Sequence, residues 1–264
     1  MNTPKTFSKT RIAPTPSGYL HLGNILSFSI TATLARQTGA KILLRIDDLD
    51  RERAERKYID DIFDTLHFLK IDWDEGPRDT EDFEKEYSQL HRMDHYHRAL
   101  RRLQDNGEVY ACTCSRTQIL KDSPDGSYPG TCRDKNIPLD TENACWRLHT
   151  PLSADLPKQI QDFIVRKKDG FPAYQLTSVI DDLHYGIDLV VRGEDLRDST
   201  LAQQYLATVL KEDRFARIAF YHHPLLLDAT GKKLSKTDGD ISIQYLRRQG
   251  ITPEGIRSRI EGMK

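Results

Sequence analysis

The chain of 264 residues has no apolar run approaching the ~18 residues that a membrane-spanning helix needs. Its opening, Met-Asn-Thr-Pro-Lys-Thr, also lacks the hydrophobic segment of a secretory leader. Neither a membrane-spanning helix nor a secretory leader is therefore expected, and a cytoplasmic location follows as the default. Net charge is scarce as well: 39 Lys and Arg against 40 Asp and Glu leave −1, so no global field draws the protein to a polyanion and any nucleic-acid contact needs a local basic face. Only four cysteines occur, Cys112, Cys114, Cys132 and Cys145. In a cytosolic chain of this size, three clustered thiols point to metal before disulfides. No internal repeat or low-complexity tract is visible.

What is present is enough apolar residue, 38%, to bury a core, in a length that suits one large or two modest domains. Lys9 to Ala13 has the composition of a short strand, and the apolar stripe Leu22, Ile25, Leu26, Ile30, Leu34 predicts a helix after a Pro/Gly turn. "KILLRI" (41–46) supplies a second strand, and Tyr58, Ile59, Ile62, Phe63, Leu66 and Leu69 mark a second amphipathic helix. This alternation predicts a parallel sheet. After "DWDEGP" it lapses into a charged helical run from about Glu86 to Gln104, then a Cys-, Pro- and Gly-rich stretch with short strands up to Val165, which is the pattern of an insertion. "GIDLVVRG", "LAQQYLATVL" and "RIAFYHHPLLL" resume the alternation, and one or two short helices close the chain.

In an open parallel sheet the ligand crevice lies beyond the carboxyl ends of the strands. Three stretches converge there: Arg11 with its turn, "RIDDLD" (45–50) and "VVRGED" (190–195). In "RIAPTPSGYLHLGN" the prolines stiffen the turn, Gly18 and Gly23 leave room for close approach, and His21 lies at a helix start, where unpaired amides and the helix dipole suit a phosphate. "GKKLSK" (231–236) adds lysines suited to the β- and γ-phosphates of a nucleotide.

His-Leu-Gly-Asn paired with Lys-Leu-Ser-Lys resembles the two signature motifs of class I aminoacyl-tRNA synthetases. "LLRIDDLD", "DWDEGP", "DGFPAYQLTSVIDD", "VVRGEDL" and "KKLSK" follow in the order and at about the spacing of the catalytic half of glutamyl-tRNA synthetases, over most of residues 8–240. The resemblance implies an α/β fold: a Rossmann-like parallel sheet, an inserted zinc-bearing α+β subdomain and a short helical C-terminus. It divides the chain into residues 1–85 and 168–240 as the two catalytic halves, 86–167 as the insertion and 241–264 as C-terminal helices. It implies catalysis by His21, Lys233 and Lys236, with ATP and accompanying magnesium held by His21, Gly23, Asn24, Lys233, Ser235 and Lys236. L-Glutamate carries two carboxylates and an ammonium, so its pocket wants two cations and an acid. The resemblance assigns these to Arg11 for the side-chain carboxylate, Arg192 for the α-carboxylate and Asp47 for the ammonium, with Ala13, Pro14, Ser17 and Tyr174 lining the pocket. Here the chain departs from the family, which carries Arg-Ile-Glu-Asp where this sequence reads Arg45-Ile46-Asp47-Asp48. The shorter acid implies a narrower pocket, an intervening water or a changed amino acid.

Three thiolates leave one of zinc's four tetrahedral places open, and by residue chemistry Tyr128, Cys145 and His149 rank alike for it. The glutamyl-queuosine tRNA(Asp) synthetases, a short branch of the family, carry a Cys-x-Cys, Tyr-x-x-x-Cys site in the same insertion, so the resemblance selects Cys112, Cys114, Tyr128 and Cys132 for a structural zinc. About thirty residues follow the lysine motif. A body of this length has a radius of gyration of about 18 Å and inspects only one end of a tRNA. That branch transfers glutamate to queuosine at the wobble position of tRNA(Asp), which is the expectation for this chain, acting as a monomer. "HRALRR" (97–102) and Arg133 with Lys135 are candidate phosphate contacts. Three rivals are a truncated glutamyl-tRNA ligase charging the tRNA 3′ end, an amino-acid ligase with a non-tRNA acceptor, and an inactive RNA-binding paralogue.

Overall fold

The computed structural model describes residues 6–151, 153–227 and 242–263. In chain order it contains β1 (Lys9–Ile12), α1 (Leu22–Thr38), β2 (Lys41–Leu44), α2 (Arg56–Leu69), the single turn α3 (Thr80–Asp82), α4 (Met93–Asp105), β3 (Val109–Cys112) and α5 (Arg116–Asp122). There follow β4 (Cys145–Leu148), β5 (Ile164–Arg166), α6 (Tyr174–His184), β6 (Leu189–Gly193), α7 (Arg197–Val209), β7 (Ala219–His223), α8 (Ile243–Arg248) and α9 (Pro253–Glu261). Two compact units divide these: the first takes the described residues of 1–91, 187–195 and 218–264, the second those of 92–186 and 196–217. No described helix is long and apolar enough to cross a membrane.

The first unit is built on a parallel sheet of order β2-β1-β6-β7, with Lys9 to Ile12 beside Lys41 to Leu44 and Leu189 to Gly193 beside Ala219 to His223. The expected parallel sheet is there. β1 is flanked by β2 on one side and β6 on the other, so the strand order reverses at β1/β6 and opens a crevice at their carboxyl ends. Ile25, Leu26 and Phe28 of α1 and Ile62, Phe63 and Leu66 of α2 form one apolar core with Ile243, Leu246, Ile256 and Ile260 of α8 and α9. The C-terminal helices are thus part of this unit's core. "DEGP" has a physical reason for its glycine: Gly76 adopts φ 104°, and a Cβ there would stand 2.2 Å from the carbonyl oxygen of Leu44. That close pass lets Leu44 N–H donate to Glu75 O at 2.8 Å, extending the β2 edge.

The second unit is α+β, an antiparallel sheet of order β3-β4-β5 with α4, α5, α6 and α7. The charged run expected to be helical from Glu86 begins its α-helix only at Met93, after a π turn (Phe83–Tyr87) and a 3-10 turn (Gln89–Arg92). Asp48 explains the delay. Its buried carboxylate accepts from Ser88 Oγ at 2.6 Å and from Gln89 N–H at 2.8 Å, and Gln89 Oε1 accepts from Leu49 N–H at 3.2 Å, which pins the chain where Ser88 leaves the helical region and separates the two turns. Further on, Asp181 is fully buried and accepts from Arg92 Nε at 2.9 Å, Arg92 Nη2 at 3.1 Å and Tyr96 Oη at 2.7 Å. Removing the acid takes away the carboxylate that meets a buried guanidinium. Asp181→Ala is therefore expected to lower the stability of the second unit by about 3–5 kcal/mol; a urea midpoint equal to that of the wild type contradicts this.

Candidate active site and cysteine cluster

His21 is the N-cap residue of α1. Its Nδ1 accepts from Gly23 N–H at 3.1 Å, while Asn24 Oδ1 accepts from His21 N–H at 3.1 Å, a reciprocal capping box. Because Nδ1 accepts, the proton of the neutral ring is on Nε2, which makes that atom the donor. The sequence suggested that Gly23 leaves space for a ligand. In the structure its near neighbour is the His21 ring itself, since a Cβ on Gly23 would lie 3.0 Å from Cε1, whereas nothing stands within 4 Å of one on Gly18. The residue before the cap is tied twice: Leu20 N–H donates to Asp61 Oδ2 at 3.3 Å and Leu20 O accepts from Ile243 N–H at 2.7 Å. Ser242 forms an isolated antiparallel backbone bridge with His21. Lys233, Ser235 and Lys236 lie outside the described residues.

Arg11 and Arg192 are both buried, on the neighbouring strands β1 and β6. Arg11 Nη1 is 3.5 Å from Val191 O, and the Arg192 guanidinium stands 4.9 Å from the centre of the Phe220 ring. Asp47 follows β2, held by its own N–H to Pro14 O at 2.9 Å. Both its oxygens accept from the buried Arg45 guanidinium, at 2.7 and 3.1 Å. Ala13, Pro14 and Ser17 form the turn after β1, where Ser17 N–H donates to Thr15 O at 2.9 Å. Tyr174 opens α6 in the second unit and is 43% exposed. One turn on, Ser178 Oγ is buried with no hydrogen-bond partner, a hydroxyl that sequence reading passed over because a lone serine gives no pattern.

Two further groups were missed. His223 ends β7, with Nδ1 2.8 Å from Pro224 O and Nε2 2.5 Å from Ser27 Oγ, so it ties that strand end to α1. Asp61 holds the turn before His21, and its only sequence signal was an acid on the apolar face of α2.

In the second unit the sulfurs of Cys112, Cys114 and Cys132 all lie within 4.8 Å of one another, with 3.5 Å between those of Cys114 and Cys132. Tetrahedral zinc–thiolate bonds would set sulfurs about 3.8 Å apart, so the triad fits a metal of that kind. Tyr128 Oη accepts from Cys132 N–H at 2.8 Å. Cys145 stands opposite Cys112 across β3 and β4 and reaches the Cys112 carbonyl oxygen at 3.4 Å, outside the close triad. The His149 ring instead meets the edge of Tyr110. Hydrogen bonding from Cys145, then Tyr128 and Arg147, outweighs burial and pulls the Cys112 thiol down to about 3, while burial and the neighbouring sulfurs push Cys114 up to about 11. Arg133 is spent within the fold: its Nε donates to Asp162 Oδ2 at 3.0 Å. Arg102 likewise pairs with Glu212 at 2.7 Å.

The family described as "tRNA synthetases class I (E and Q), catalytic domain" matches residues 8–134 and 149–263. The chain belongs to that family. A glutamyl-Q tRNA(Asp) synthetase of Nitratidesulfovibrio vulgaris is 37% identical over 93% of this chain and 83% of its own. A glutamate–tRNA ligase 2 of Syntrophus aciditrophicus is 34% identical over 97% of this chain and 57% of its own. Among solved structures, the glutamate-tRNA synthetase from Elizabethkingia anophelis superposes with a TM-score of 0.70 at 24% identity, over 89% of this chain and 54% of that one, which is a likeness of fold.

Burial, set against the Leu20 amide and Arg247, pushes the Asp61 carboxyl above the ordinary carboxylate range. The folded chain therefore keeps a proton that the unfolded chain has lost: this contribution to stability is full below the ordinary range and fades as pH rises through the raised value. Asp61→Asn is expected to flatten that decline in a series of thermal midpoints against pH, and an unchanged slope counts against the assignment.

Proposed function

We propose that this chain activates L-glutamate with ATP and transfers it to the queuosine base of tRNA(Asp). The observation that carries the reading is the likeness to proteins named glutamyl-Q tRNA(Asp) synthetase over most of both chains, 37% identical across 83% of the Nitratidesulfovibrio relative. In the first step a glutamate carboxylate oxygen attacks the α-phosphorus of ATP, and the bond to the β-phosphate oxygen breaks to give glutamyl-adenylate and pyrophosphate. In the second, a hydroxyl of the queuosine cyclopentenediol attacks the acyl carbon and AMP leaves. His21 Nε2–H and the ammoniums of Lys233 and Lys236 stabilise the charge that builds on the phosphates, with Gly23, Asn24 and Ser235 around the nucleotide. Magnesium bound with ATP supplies further neutralisation of the triphosphate.

Arg11 and Arg192 take the two carboxylates of glutamate, consistent with buried guanidiniums on adjacent strands, and Asp47 takes its ammonium alongside Arg45. Tyr174 is assigned as a hydroxyl donor on family likeness. Cys112, Cys114, Cys132 and Tyr128 hold a structural zinc that staples the RNA-facing insertion, residues 86–167. A cavity of about 370 Å³ in that unit, with Arg116, Lys167 and Lys168 and no carboxylate in its wall, suits RNA phosphates. The protein works in the cytoplasm as a monomer.

His21→Asn keeps an N-cap side chain on α1 but withdraws the Nε2 donor. It and Lys236→Ala are each expected to slow glutamate-dependent ATP–pyrophosphate exchange about a hundredfold to a thousandfold, and near-normal exchange in either refutes its role. Charging of queuosine-containing tRNA(Asp), with none of queuosine-free RNA, is the outcome expected of wild-type protein. Acylation of queuosine-free glutamate tRNA would favour the 3′-end ligase instead. Metal analysis of protein purified without chelator should find about one zinc per chain, as a single four-ligand site requires, lost in Cys132→Ser. A zinc-free wild type would remove the metal from this account.

A further inference from the structure

Arg147 lies on β4, two residues beyond Cys145, in the unit that carries the cysteine cluster. Its side chain is 6% exposed, and among the described residues no carboxylate pairs with it. Nη1 donates to the Asp162 carbonyl oxygen at 2.8 Å, Nε is buried without a hydrogen-bond partner, and the guanidinium carbon stands 3.6 Å from the centre of the Tyr128 ring. Burying a guanidinium away from water is costly unless an anion meets it. The groups around this one are the Asp162 carbonyl and the Tyr128 ring, and Cys114 and Cys145 line the same cavity, so the cluster is the place within its own unit where negative charge can arise beside it. Three thiolates on a divalent ion leave one net negative charge, and a phenolate oxygen in the fourth place makes it two.

We infer that Arg147 is the charge-compensating positioning residue of the cysteine cluster, offsetting the surplus negative charge of the metal-loaded site and clamping the Tyr128 ring from its face. The inference rests on the reading that the cluster holds zinc. Residues just outside the ligand set fix ligand orientation and tune affinity, and losing one weakens binding by about 10–100-fold. Cys145 cannot substitute, because a neutral thiol carries no compensating charge. Lys168 can be compared directly: it walls the same cavity as Arg147, but its ammonium is exposed and donates to Thr113 O at 2.9 Å.

The test uses the full chain and three variants, Arg147→Met, which keeps an apolar stem without charge, Arg147→Lys, which keeps charge without the planar stack, and Lys168→Met. Zinc affinity is read by competition with a chromophoric chelator, and the thiolate-to-metal charge-transfer bands are read on Co(II)-loaded protein. Arg147→Met should loosen zinc by about 10–100-fold and shift the Co(II) bands. Arg147→Lys should recover most of the affinity, and Lys168→Met should match wild type in both readouts. Wild-type affinity in Arg147→Met overturns the inference alone, as does Arg147→Lys binding as weakly as Arg147→Met or Lys168→Met costing as much. A wild type that takes up neither ion overturns the metal reading and this inference with it.

Discussion

The first turn of α1 leaves backbone amides with no partner inside the helix, and the way they are satisfied organises the first unit. Gly23 N–H is taken by the Nδ1 of His21, and His21 N–H is taken by Asn24, so the imidazole is oriented by helix capping. The same turn is tied to α2 through Asp61 and to α8 through Ile243. A ring whose Nδ1 must accept keeps its proton on Nε2. The donor proposed to face phosphate is therefore fixed by the same bond that starts the helix, and local backbone chemistry and function share one atom set.

Buried charge supplies the second constraint. Asp47 and Asp48 are neighbours in the sequence and behave differently: the first is clasped by Arg45, the second anchors residues 88–89 and delays the start of α4. In the second unit Asp181 meets Arg92, and Asp162 gathers Arg133, Tyr110 and Thr150. Every one of these acids has hydrogen-bond donors that offset its desolvation, as burial requires. Arg147 inverts the pattern, a buried cation that meets a carbonyl oxygen and the face of a phenol ring with no carboxylate paired to it among the described residues.

Apolar spacing located α1 and α2 because each helix buries one stripe against the sheet, and 3.6-residue periodicity survives any tertiary context. The charged run at residues 86–92 was read as one helix with α4, but two hydrogen bonds donated to Asp48 by Ser88 and Gln89 break it into a π turn and a 3-10 turn. Cysteine spacing located the triad, since residues close in sequence within a loop stay close in space. Arg147 was illegible: it enters the cluster only after β3 and β4 pair Cys112 with Cys145 and bring β4 alongside. His223 was illegible for the same reason, since its partner Ser27 lies far along the chain.

The order of residues by itself determined the strand–turn–helix start, the parallel sheet, the cysteine triad and the family to which the chain belongs, because each depends on spacing within a short window or on motifs kept in order. Only the tertiary structure decided that Asp61 and Ile243 hold the turn before His21, that His223 ties the end of β7 to α1, and that a guanidinium stands over Tyr128. Those facts depend on which distant groups are driven together when water is removed, and a buried donor or charge takes whatever partner the packing brings within about 3 Å.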